Sequence, residues 1–217
     1  MRRLVSTAPV VLAWMLAAGC SPKRDTPTHA ADPSSNGQDA AISPADLRAR
    51  AAARPMTEET VAVFRRANAE GNFSVSAILL ADNGSPRALA LLESMLADRS
   101  VPAARRVDGM HLAVYPHRVE PPMLELAGRL FAGNLEDDVA VGLVESVFDD
   151  EPAHWLDPGT RVNPPAPWDR APADAVAIAR DLAAKVRARG GLPQRLLDAV
   201  GRAEESLRRA AVGHGAP

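Results

Sequence analysis

The chain has 217 residues, 47% of them hydrophobic and only 4% aromatic, so it exceeds what one very small core needs and suits an alanine- and leucine-rich helical protein. With Arg2 and Arg3 set aside as part of a leader, 23 basic residues face 27 carboxylates, a net charge of −4 that disfavours nucleic acid as a partner. Cys20 is the only cysteine, which excludes an internal disulfide, a thiolate metal cluster and a separate catalytic thiol.

Residues 1–19 read as an export signal. Arg2 and Arg3 give a positive start, Leu4 to Ala18 an apolar run, and Ala17, Ala18 and Gly19 a small-residue cleavage site. The run falls short of the roughly 20 residues of a membrane span, and Pro9 interrupts it. The sequence Leu16, Ala17, Ala18, Gly19, Cys20 resembles the signal of bacterial lipoproteins, although leucine stands four rather than three residues before the cysteine. The resemblance implies lipid on Cys20 and attachment to the cell envelope, facing the periplasm or exterior. Ordinary signal cleavage, leaving Cys20 unmodified, is the alternative.

Residues 20–42 are rich in Ser, Pro, Thr, Asp and Asn and nearly free of bulky apolar side chains, the composition of a flexible tether. Helical periodicity begins at 43 and continues to 212. Ser43 and Pro44 open a short, marginal or capping helix predicted to run to Arg54, before Pro55. Val61, Phe64 and Ala67 then stripe one helix, Gly71 and Asn72 end it, and Val75, Ile78 and Leu79 stripe its partner up to the Asp82, Asn83, Gly84 turn.

From Pro86 to Asp149 the chain carries one helix-turn-helix pattern twice. A shift of 34 residues superposes Leu92 on Leu126, Leu96 on Leu130, Val101 on Leu135, Val107 on Val141, Met110 on Val144, Ala113 on Val147 and Val114 on Phe148. It also superposes Ser94 on Gly128, small residues expected where helices approach closely. A unit repeated at roughly 30 to 45 residues buries its apolar face by stacking on neighbours. Met123, Leu126, Ala127, Leu130 and Phe131 make one helical stripe, and Ser85 with Pro86 makes a sound helix start. A plain helical bundle with a chance echo is the competing reading.

Six prolines between Pro152 and Pro172 exclude a helix or interior strand across that insertion. It holds Trp155 and Trp168, the only tryptophans outside the leader, either as binding residues or as pins for the loop. Two long helices follow. Ala175, Ile178, Ala179, Leu182 and Val186 stripe the first, and Leu196, Leu197, Val200 and Leu207 the second, with residues 213–217 expected to fray.

Between Leu130 and Thr160 stand eight carboxylates and no lysine or arginine. Where this run meets the insertion, Asp149, Asp150, Glu151, Trp155, Asp157 and Trp168 form the expected contact surface for a protein partner presenting basic side chains. A merely solvated acidic face is the bland alternative. Lysine occurs only at Lys23 and Lys185, and the excess of arginine reads as coding bias with little chemical content.

The usual catalytic signatures are missing from the sequence: no nucleophile elbow, phosphate loop, paired-histidine zinc helix or calcium loop is present. Asp108 and His111, with His117 and Glu120 beyond, could ligate a metal but lack a diagnostic spacing. No catalytic, cofactor or metal site is therefore expected.

The antiparallel pairing, the period in the thirties and the Ser85–Pro86 turn before Ala88, Leu89, Ala90, Leu91 and Leu92 resemble HEAT-type repeats, with tetratricopeptide-like pairs as the rival. The resemblance implies an all-α solenoid of about four stacked pairs and a protein-binding surface rather than a reaction. The sequence thus reads as a lipid-anchored scaffold. The alternative is a small-molecule carrier or sensor with a groove under the Trp155/Trp168 loop.

Overall fold

The computed structural model describes residues 41–151 and 165–214, with side chains described through Val212. Among these residues the regular elements are all helices: α1 (Pro44–Ala51), α2 (Glu58–Ala69), α3 (Phe73–Asn83), α4 (Pro86–Ala97), α5 (Ala103–Ala113), α6 (Pro121–Ala132), α7 (Asp137–Phe148), α8 (Ala173–Arg189) and α9 (Gln194–His214). Short 3-10 turns lie at Tyr115–His117 and Trp168–Arg170. None of the described helices is long and apolar enough to cross a membrane.

The helix starts follow local chemistry. Ser43, Thr57 and Ser85 each accept a hydrogen bond on their side-chain oxygen from the amide three residues on, satisfying donors that the helix itself leaves over. Gly84, at φ 62°, turns the chain out of α3 in the left-handed conformation that glycine adopts without strain.

Packing runs along two rows. α3 packs against α5, α5 against α7 and α7 against α9, while α2 meets α4, α4 meets α6 and α6 meets α8. Consecutive helices also touch from α1 through α5, in α6–α7 and in α8–α9, and α1 closes on α2 and α3. The 34-residue echo has a structural counterpart. Leu92 and Leu126, Leu96 and Leu130, Met110 and Val144, Ala113 and Val147, and Val114 and Phe148 are all buried, Val107 and Val141 are both only partly so, and Val101 and Leu135 differ, the first half-buried and the second buried.

Several expectations shift. α1 stops at Ala51 rather than Arg54, and it is no marginal appendage, because Leu47 and the following Met56 are fully buried. The buried Asn83 ties its end down, donating from Nδ2 to the carbonyls of Ala51 (2.7 Å) and Ala53 (3.1 Å). The buried face of α3 is Phe73, Ala77 and Leu80, while Val75 and Leu79 are only partly covered. α9 extends to His214, and the rest of the tail expected to fray lies outside the described residues. The close approaches do not lie at Ser94 and Gly128, since Gly128 has nothing within 4 Å of a would-be Cβ. They lie at Gly109, where a Cβ would sit 2.6 Å from Phe73, and at Gly142, which faces Val107.

Arginine has structural work here beyond any coding bias. Arg54 donates to the carbonyl of Asp82 (2.6 Å), Arg99 to that of Asn134 (2.8 Å), Arg118 to that of Asp149 (2.8 Å) and Arg189 to that of Leu135 (2.8 Å). The first three carbonyls stand in the last turn of a helix or just past its end, where backbone acceptors lack intrahelical donors, and that of Leu135 lies in the turn between α6 and α7. A guanidinium with five donors can satisfy such a carbonyl while still bonding a carboxylate.

Candidate functional site

α7 ends at Phe148, and Asp149, Asp150 and Glu151 follow directly, so helix termination itself collects three carboxylates. The Phe148 ring stacks on Trp168 at 6.0 Å between centroids and 27° between planes. That contact folds the end of the proline-rich segment back onto α7. The Arg118 guanidinium lies 5.1 Å from the Tyr115 ring centre and 5.4 Å from the Trp168 ring centre, with N–H groups of its edge directed at the end of α7. There it donates to the Asp149 carbonyl and pairs with the Asp150 carboxylate. The Trp168 Nε1–H and the Arg118 Nε–H are buried without hydrogen-bond partners among the described residues. Burial pushes the Tyr115 phenol above its ordinary pKa, and the charge of Arg118 opposes the shift.

This geometry revises the expected contact surface. Trp168 is 2% exposed and belongs to the core, so it pins the segment and is not an exposed anchor. Asp149 is 3% exposed, with its carboxylate 3.6 Å from Arg195 of α9. Asp150 remains half exposed, and Glu151 is exposed with its amide donating to Asp149 Oδ1 at 3.0 Å. Trp155, Asp157 and Cys20 lie outside the described residues. The structure adds Asp169, which sequence reasoning passed over because it stands beyond the acidic run. Its position beside Trp168 was the available signal.

Nor is the acidic run uncompensated. Glu136 pairs with Arg106, Asp137 with Arg189 (3.1 Å), Glu145 with Arg195 and Asp150 with Arg118. The counter-charges come from α5, from the 3-10 turn before α6, from α8 and from α9, all distant in sequence.

Between Arg118, Trp168 and α9 opens a cleft of about 300 Å³. Tyr115, Arg118 and Trp168 form its wall, Pro165 and Pro167 one lip, and Asp150, Asp169 and Ser206 the polar mouth. Asp169 has no ion pair among the described residues, which leaves two carboxylates but a single arginine at the cleft. This arrangement can accept a cationic side chain and, among the described residues, has no nucleophile and base in mutual contact.

The suggested metal constellation separates in space. His111 is buried and places Nε2 3.3 Å from Glu145 Oε2, so the imidazole donates to a carboxylate that Arg195 also holds. Burial pushes the Glu145 carboxyl up, but the hydrogen bonds from His111 and Arg195 outweigh it and leave the group below its ordinary pKa. His117 instead lies between Asp82 Oδ1 (3.1 Å) and Glu120 Oε1 (2.9 Å), and Asp108 is exposed on α5. Among the described residues no cluster of three or more His, Cys, Asp or Glu could hold a metal ion.

Comparison with known proteins finds no matching family, no matching curated protein and no matching solved structure.

Proposed function

We propose that this protein is an exported scaffold, lipid-anchored through Cys20, whose helices form a HEAT-like solenoid of about four stacked pairs and bind a protein partner with a basic surface. The alternating rows α3–α5–α7–α9 and α2–α4–α6–α8 support the repeat reading, because each helix meets the next but one, as stacked pairs require. The observation that carries the binding reading is the cleft at the end of α7. Asp150 and Asp169 stand at its mouth, Glu151 follows Asp150 in the chain, and the wall is rigidly built from Arg118 and two aromatic rings. Fixed walls with exposed charges favour recognition, since little ordering is needed on binding and the carboxylates steer encounter. A small cationic molecule in the same cleft is the second reading, supported by a volume at the lower end of the roughly 300–1,000 Å³ range of ligand sites.

The test uses the intact protein. Crosslinking in membranes followed by co-purification identifies the partner, and Glu151→Gln with Asp169→Asn should weaken that capture, most at low salt, at an unchanged melting temperature. Undiminished capture by the folded variant removes the acidic cleft from the proposal. Cys20→Ser should release the protein from membranes or trap its precursor. An unmodified amino terminus with unchanged membrane association would end the anchoring claim.

A further inference from the structure

A second groove, of about 490 Å³, lies between the carboxyl-terminal halves of α2 and α4 and the loop that leads into α5. The half-buried Val101 and the edges of the nearly buried Leu91 and Met95 line its floor. Arg65 on α2 and Arg105 on α5 flank it, both exposed and neither in an ion pair among the described residues. Their immediate neighbours differ: Arg66 pairs with Glu70 at 3.3 Å and Arg106 with Glu136. Asp98, the one carboxylate lining the groove, is engaged by its own loop, accepting from the Ser100 amide at 2.8 Å, and the Ser100 hydrogen bonds hold it below the usual carboxylate range. Two exposed guanidinium groups outside the ion pairs thus flank one groove in a chain with an overall excess of acid.

We propose that this groove binds an extended acidic peptide segment. An apolar side chain of the segment covers Leu91, Met95 and Val101, and carboxylates on either side of it reach Arg65 and Arg105. Guanidinium groups match carboxylates through paired N–H donors, and an apolar centre within a charged rim is the common anatomy of a recognition site. The groove uses α2, α4 and α5, whereas the acidic cleft uses α7, α9 and the Trp168 turn, so the proposal does not depend on the partner assigned to that cleft. Together the two surfaces have opposite charge preferences.

The experiment measures fluorescence anisotropy of a labelled eight-residue peptide alternating glutamate with leucine, titrated with the full-length protein at low salt. Its glutamine and lysine counterparts serve as comparisons. The glutamate peptide should bind at least tenfold more tightly than the glutamine peptide, and the difference should shrink as salt screens the charges. Arg65→Glu with Arg105→Glu should abolish that preference, Arg65→Gln with Arg105→Gln should reduce it in step, and Ser94→Trp should block binding with both arginines intact. Asp169→Asn should leave it unchanged. Equal affinity for the glutamate and glutamine peptides, or undiminished glutamate binding by the folded double variants, would overturn the proposal. Complete displacement of the peptide by inorganic phosphate at equal concentration would also overturn it, by showing a simple anion site.

Discussion

Gly142 of α7 faces Val107 of α5 so closely that a Cβ in its place would lie 2.7 Å from Val107 Cγ1 and 2.9 Å from Cγ2. The valine is branched at Cβ and has few rotamers to retreat into. Gly142→Ala therefore sets a helix-propensity gain of about 1 kcal/mol against overpacking of about 1–3 kcal/mol. The variant should melt lower than the parent. Gly128→Ala provides the control, because open space there leaves only the propensity gain, and it should stabilise by about 0.5–1 kcal/mol. Both values follow from chemical denaturation, and a Gly142→Ala protein as stable as Gly128→Ala would show that the helices are not held at this distance.

Trp168 joins Phe148 and Arg118 in the core, so its removal opens a large cavity beside a buried cation. Trp168→Ala should cost about 3–5 kcal/mol. Trp168→Phe should cost far less, because the indole N–H it deletes has no hydrogen-bond partner among the described residues while much of the ring contact remains. Thermal melts of the two variants separate the cases. Equal losses would mean that the indole nitrogen, not the ring, holds the segment down.

Helices, caps and the 34-residue echo were legible because they depend on local spacing: Ser85 caps α4, and Leu92 and Leu126 carry equal burial. Partners distant in sequence were not. The carboxylates from Glu136 to Asp150 looked unopposed because Arg106, Arg118, Arg189 and Arg195 arrive from other helices, and no window of sequence contains both members of a pair. The face of α3 was misplaced for a related reason. Its residues are apolar nearly all round, so periodicity identifies no single buried side, and Phe73 and Ala77 are selected by the helices on either flank. In the candidate cleft, tryptophan and acid are neighbours in sequence, yet burial divides them, with Trp168 inside and Asp150 at the mouth.

Glu145 links three helices, meeting His111 of α5 and Arg195 of α9 from its own place on α7. Its pKa lies below the ordinary 4.5 because those hydrogen bonds outweigh the opposing effect of burial. The unfolded chain then binds more protons than the native state as the pH drops below that value. The contribution is fully present above about pH 4.5 and is lost as the pH falls through the lower native pKa. Arg195→Ala removes one of the opposing bonds, so it should cost about 1–3 kcal/mol near neutrality and move the acid limb of the stability profile to higher pH. Denaturation midpoints from pH 3 to 7 read both effects. An acid limb superposable on the parent's would show that Arg195 does not stabilise the Glu145 carboxylate.

Arg118 and Arg99 make the same kind of bond in opposite surroundings, which allows the role of the guanidinium to be separated from that of its charge. Each donates at 2.8 Å to a carbonyl beyond a helix end, Arg118 to Asp149 and Arg99 to Asn134. Arg99 is exposed, and water can replace its bond. Arg118 is 3% exposed, lies against two aromatic rings and at the same time holds Asp150, so the planar fork serves the backbone acceptor and the carboxylate together. Lysine keeps the charge but concentrates it on one tetrahedral ammonium that cannot lie flat on the rings and satisfy both acceptors from the same place. Arg118→Lys should therefore cost about 2–3 kcal/mol, the scale of a buried charge-assisted hydrogen bond, and Arg99→Lys should stay within about 0.5 kcal/mol of the parent. Chemical denaturation of the two variants provides the comparison. If Arg118→Lys is as mild as Arg99→Lys, positive charge alone suffices at the end of α7. The guanidinium geometry would then have no part in shaping the cleft between Asp150 and Trp168.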